Sequence, residues 1–107
     1  MNSSPAWDTV QARFHRRVQH DLNEIIGKYD EISELLAEDF LAEFQAGVRK
    51  ALLNPRFFHF DACGLRRCNL TRFPYHFLYD IQMGMIRVWV LRHDHRDPRF
   101  GTKRFRS

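Results

Sequence analysis

Apolar and polar positions alternate through Val10, Gln11, Ala12, Arg13 and Phe14, a period of two that predicts a half-buried strand after a loose, polar lead-in over residues 1–7. The period then changes. From about Arg16, the residues Val18, Leu22, Ile25, Tyr29 and Ile32 fall on one helical face and predict a first helix. Gly27 inside it costs up to about 1 kcal/mol relative to alanine, so the apolar stripe must be packed for the helix to persist. Ser33 can cap a second helix, in which Ala37, Phe40, Leu41, Phe44, Val48, Ala51 and Leu52 repeat at helical spacing until Asn54-Pro55 stops it. The two form an antiparallel hairpin whose acidic residues lie on exposed faces.

An irregular aromatic segment follows, Phe57-Phe58-His59-Phe60-Asp61, ending at Gly64 and read as a loop that tucks its rings under a sheet. Three strands come next, Leu65 to Leu70, Tyr75 to Asp80 and Met85 to His93, separated by Phe73-Pro74 and by the turn Gln82-Met83-Gly84. Such short connections make an antiparallel meander. In the last strand, strict alternation puts Ile86, Val88 and Val90 against the helices and leaves Arg87, Trp89, Leu91 and His93 on a cationic and aromatic opposite face. His95 to Ser107 reads as a basic tail with Arg96, Arg99, Lys103, Arg104 and Arg106. The expected fold is α+β in the order β-α-α-β-β-β: one domain over residues 1–107, a helical hairpin on one face of a small, mainly antiparallel sheet.

Composition narrows the setting. The 107 residues are 44% hydrophobic, enough for one core and no second domain. Apolar runs such as Val88 to Leu91 are too short to cross a bilayer, and Met1 to Trp7 lacks a signal pattern, so no membrane association is expected. Cys63 and Cys68, with no further cysteines, fit reduced thiols and a cytoplasmic protein. Charge is uneven: residues 1–54 carry 6 Lys/Arg against 9 Asp/Glu, whereas residues 55–107 carry 11 against 4. Ten of those eleven cations are arginine, which suits phosphate or carboxylate partners. An anionic partner follows, with nucleic acid, an acidic protein and mere solubility all open.

Several landmarks fall in a recognisable order. Asn54-Pro55 closes the second helix, Leu65-Arg66-Arg67 opens the next strand, Arg72-Phe73-Pro74-Tyr75 enters the third, and Val88-Trp89-Val90-Leu91 runs into His93-Asp94-His95-Arg96-Asp97-Pro98. Over roughly residues 9 to 100, the chain thereby resembles the RelE/ParE toxin superfamily, especially its ParE-like, plasmid-stabilisation branch of type II toxin–antitoxin systems. It departs from the family pattern at Arg16-Arg17 and in the loop from Phe57 to Cys63. The resemblance implies a toxin neutralised by a cognate antitoxin protein, alone as a homo-oligomer or joined in a toxin–antitoxin hetero-oligomer. It also implies one of two targets: DNA gyrase, poisoned by binding, or the ribosome and its mRNA, cleaved as by an mRNA interferase.

Metal-free RNA cleavage needs a base, a cation for the phosphorane and an acid for the leaving oxygen. Arg66 or Arg67 could supply the cation and His93 the proton, although a histidine at a strand end can equally be structural. The missing member is a carboxylate base. No glutamate follows Glu43, and Asp61, Asp80, Asp94 and Asp97 fall in loops or strand ends, while Lys103 is the sole lysine after Lys50. His76 or a tyrosine remains as a substitute. His93 and His95 lack a third ligand at conventional spacing, so no metal and no other cofactor is expected. Trp89 could stack on a base or pack under the tail. These features favour the gyrase-binding reading, with Arg87, Trp89, Arg92, Arg96, Arg99, Lys103 and Arg104 as the target-binding set. An acidic, apolar-faced antitoxin segment would complement either the hairpin or the basic groove.

Overall fold

A computed structural model describes residues 12–105 of the chain. The elements follow in the expected order: β1 (Ala12–Phe14), α1 (Arg16–Asp30), α2 (Glu34–Leu53), β2 (Arg66–Asn69), β3 (Tyr75–Gln82) and β4 (Met85–His93). The sheet runs β1-β4-β3-β2. Its β2, β3 and β4 strands are an antiparallel meander, and β1 lies parallel to β4 at one edge. Val10, the lead-in over residues 1–7 and Arg106 lie outside the described residues.

Local chemistry sets the boundaries. His15 caps α1, its Nδ1 accepting the Arg17 N–H at 3.1 Å, and Ser33 caps α2 by accepting from the Leu36 N–H. The helix α1 stops at Asp30, so Ile32 is not part of its apolar stripe and stands 73% exposed in the turn between the helices. Met83 and Gly84 connect β3 to β4 with φ of 53° and 78°, the paired left-handed geometry that matches the twist of a tight hairpin. In α2, Gly47 lets the helix approach the sheet. A Cβ there would meet the Phe77 ring at 3.1 Å.

The main core lies between the hairpin and the sheet, with Val18, Leu22 and Ile25 of α1 and Phe40, Phe44, Val48 and Ala51 of α2 packed on Phe77, Tyr79, Ile86, Val88 and Leu91. Phe73 fills one corner, its ring 5.2 Å from both Tyr29 and Phe40, so Phe73-Pro74-Tyr75 is a packed corner. The loop rings are only partly tucked in. Phe58 packs against the core, while Phe57 and Phe60 are 75% and 65% exposed.

Strict alternation fails in β4. Tyr79 pairs with Val88 but Leu78 pairs with Val90, so Trp89 is an extra residue in a β-bulge. Beyond it the faces exchange. Leu91 joins the helix-side core, contrary to the pattern, and Val90 turns to the far face to pack with Leu65 and Leu78. The same exchange brings His93 to the helix side, opposite Tyr75.

The far face is covered. Phe100 and Phe105 pack with Trp89 on the cluster of Leu65, Leu78 and Val90. A Cβ on Gly101 would fall 2.6 Å from a Val90 methyl, so residues 97–105, within the segment read as a basic tail, form a strap laid closely on the sheet. Cys63 and Cys68 form no disulfide. Among the described residues no helix is long and apolar enough to cross a membrane.

Candidate functional site

The cationic residues read from the sequence divide into those consumed by the fold and those left to solvent. On β2, neighbouring arginines point to opposite faces. Arg66 pairs with Tyr79 on the helix side, donates to the carbonyls of Arg56 and Phe58 at 3.1 and 2.8 Å, and lies 4.2 Å over the Phe60 ring. Arg67 pairs with Leu78 on the far face. His93 lies on the same helix side as Arg66 but farther along the sheet. Its partner on β3 is Tyr75, four residues from Tyr79, which puts it about 13 Å along the sheet from Arg66. The His93 Nδ1 also accepts the His95 N–H at 3.0 Å, which removes one nitrogen of a histidine pair from ligand duty.

The remaining cations of the expected target-binding set are mostly paired internally. Arg87 makes a two-pronged bridge to Asp80 across the strands, at 2.8 and 2.6 Å. Arg99 pairs with Asp97, whose carboxyl the Arg99 hydrogen bonds hold down at about 2. Arg92 is buried, and Arg104 is bound to the buried Asp21. Arg96 lies over the Phe100 ring at 4.1 Å, and Lys103 is exposed. Trp89 packs between His15 and Phe105, so it does lie under the tail.

A buried polar network occupies the far face. Arg92 donates its Nε–H to His76 Nε2 at 2.9 Å, and its Nη1 holds the carbonyls of Pro98 and Phe100. With Nε2 accepting, the His76 proton resides on Nδ1, which faces Asp94 Oδ1 at 2.8 Å. Asp61 closes the network, 3.7 Å from Arg92 and 3.6 Å from Arg67, and Arg67 also reaches Asp94 at 3.5 Å. Burial lowers the His76 pKa, aided by Arg67 and Arg92 and opposed by Asp94. Burial acts to raise that of Asp61, but hydrogen bonds from Cys63 and the charges of Arg92 and Arg67 outweigh it and leave the carboxyl lowered. Cys63 is itself raised by burial, which keeps it a thiol. Every member is engaged in holding another, so the network fixes the strap on the sheet.

A second set of groups escaped the sequence reading because it lies in the acidic half. Arg13, Arg16 and Arg17 are exposed, and no described carboxylate lies in ion-pair range of them. They surround His15, whose pKa is lowered by burial and then by Arg104, Arg16 and Arg17 against a raising contribution from Asp21. The signal was present in the run Arg13-Phe14-His15-Arg16-Arg17. It was diluted by the net acidity of residues 1–54. Asp21 also had a visible signature, falling between Val18, Leu22 and Ile25 on the apolar stripe of α1.

Arg66, Arg67 and His93 are not brought together, and Arg13, Arg16 and Arg17 present positive charge with no described carboxylate in ion-pair range. No protein-family model matches the chain, and no curated protein matches it.

Proposed function

We propose that the chain is the toxin component of a type II toxin–antitoxin pair, of the ParE-like branch of the RelE/ParE superfamily, acting in the cytoplasm by binding DNA gyrase. The observation that carries the choice of binding over RNA cleavage is the separation of Arg66 and Arg67 from His93, each with at least one polar atom already engaged by the fold. Supporting the wider reading are the β-α-α-β-β-β order and the landmarks from Asn54-Pro55 to Asp97-Pro98, which fall at the helix end, the strand entrances and the strap. A cognate antitoxin offering an acidic, apolar-faced segment would neutralise it. Purified chain added to a gyrase supercoiling assay inhibits the reaction at stoichiometric excess. Full gyrase activity, together with cleavage of ribosome-bound message, would replace this reading by the mRNA interferase alternative.

A further inference from the structure

The corner where β1 enters α1 joins three arginines outside the expected target-binding set, Arg13, Arg16 and Arg17, to two members of it, Arg87 and Trp89. Arg13 pairs with Arg87 across the parallel strands, and both residues belong to the far face. Arg87 is neutralised by Asp80, whereas Arg13, Arg16 and Arg17 keep their charges toward solvent. Three like charges within five residues repel one another, and the first turn of α1 offers no acidic residue to offset them. An anion bound there would relieve this repulsion.

Rings adjoin the charges. The His15 imidazole lies 5.6 Å from the Trp89 indole, and the Arg87 guanidinium lies 5.1 Å over the same indole. Around them is a cavity of about 180 Å³ lined by Arg13, Phe14, His15, Arg87, Val88 and Trp89. The Trp89 Nε1 is cut off from solvent without a hydrogen-bond partner. An unpaired buried N–H is costly, so a phenylalanine would cover the same neighbours with less penalty. Among the described residues no group accepts a hydrogen bond from the indole. His15 contributes a neutral ring whose Nδ1 is committed to the Arg17 N–H, so its proton resides on Nε2.

We propose that this corner binds single-stranded nucleic acid, with Arg13, Arg16 and Arg17 on the phosphate backbone and the His15–Trp89 ring pair as the platform for a base. The charges alone would serve any polyanion. The adjoining rings favour a nucleic acid over an acidic peptide, because every base has a face to stack and a carboxylate has none. RNA and DNA share this chemistry. The proposal is separable from the gyrase reading by its readout and by Arg13, His15, Arg16 and Arg17, although Trp89 also belongs to the expected target-binding set.

The test uses the full chain with fluorescein-labelled U12 and dT12, and with polyglutamate of equal charge as the rival occupant. Anisotropy should show binding to at least one oligonucleotide, with log K falling against log salt at a slope of roughly −2, as expected for about three phosphate contacts. The tighter of the two oligonucleotides identifies RNA or DNA as the source, and equal affinity identifies the shared backbone and bases. Arg16→Ala with Arg17→Ala, both on the surface, should weaken binding at least tenfold and reduce the slope to roughly −0.7. In a Trp7→Phe background, which leaves Trp89 as the sole tryptophan, oligonucleotide should quench the indole emission. No binding at 100 µM oligonucleotide (roughly the weak end of non-specific affinities), equal binding of polyglutamate, affinity unchanged by the arginine substitutions, or unchanged Trp89 emission would each overturn the proposal.

Discussion

Asp21 and Arg104, 83 positions apart, meet at 2.7 Å beside the β-bulge, where the Asp21 carboxylate also accepts the Leu91 N–H at 3.2 Å and Arg104 donates to the Trp89 carbonyl at 3.0 Å. β1 pairs with β4 only as far as Val88. The two side chains therefore satisfy the backbone groups of β4 that lose a strand neighbour beyond that point, and they tie α1, β4 and the strap together in one contact.

Breaking that pair leaves a buried carboxylate uncompensated. Arg104→Ala should lower the unfolding free energy by about 3 kcal/mol in urea titrations. Adding Asp21→Asn to it should recover part of the loss, and a single-variant cost below about 1 kcal/mol would contradict the assignment.

Gly101 and Gly27 should respond to alanine in opposite directions. At Gly101, φ is +80° and a Cβ meets Val90 methyls at 2.6 and 2.9 Å, so the substitution should cost about 2 to 4 kcal/mol and loosen the strap. Val90→Ala in that background should relieve part of the clash. At Gly27 a Cβ meets nothing within 4 Å, and the helical site should gain about 0.5 to 1 kcal/mol. Thermal melts of the variants give the comparison, and C-terminal proteolysis reports the strap.

His76 makes stability depend on pH in a defined sense. Its folded pKa lies below the ordinary 6.5, so the unfolded chain binds the extra proton first as pH falls. The contribution is fully present above 6.5 and is lost as pH falls from there through the folded value. His15 is shifted in the same direction and adds to the slope. Stability measured from pH 7.5 to 5.5, roughly a unit either side of the histidine value, should fall, and His76→Gln should flatten the curve. An NMR titration should show His76 still mostly neutral, with its proton on Nδ1, at pH 6.5, the ordinary histidine value.

Two arginines placed in one binding set from the sequence should separate cleanly. Arg92→Ala removes the link among His76, Asp61 and the strap carbonyls and should cost about 3 to 5 kcal/mol. Arg96→Ala, at an exposed position, should remain within about 0.5 kcal/mol of the parent in the same denaturation assay.

The element order was legible because the hydrophobic period changes sharply at His15 and again at Pro55, and because Ser33 and Gly84 carry unambiguous cap and turn chemistry. The faces of β4 were not. A bulge inserts one residue without altering local composition, and the exchange of Val90 and Leu91 depends on pairing with Leu78 in another strand. The same limit affected the charges. Arginines at 87, 92, 99 and 104 read as one cationic surface until the tertiary fold supplies Asp80, Asp61, Asp97 and Asp21. Ile32 was lost to the pattern because the stripe ran past the point where Asp30 ends the helix.

The toxin reading is tested most directly by expressing the chain in bacteria without any antitoxin, and measuring plasmid topology and messenger integrity in the same arrested cells. Growth arrest with relaxed or cleaved DNA and intact messages is the expected result. Arrest with fragmented messages and normal supercoiling, or no arrest at all, would contradict it.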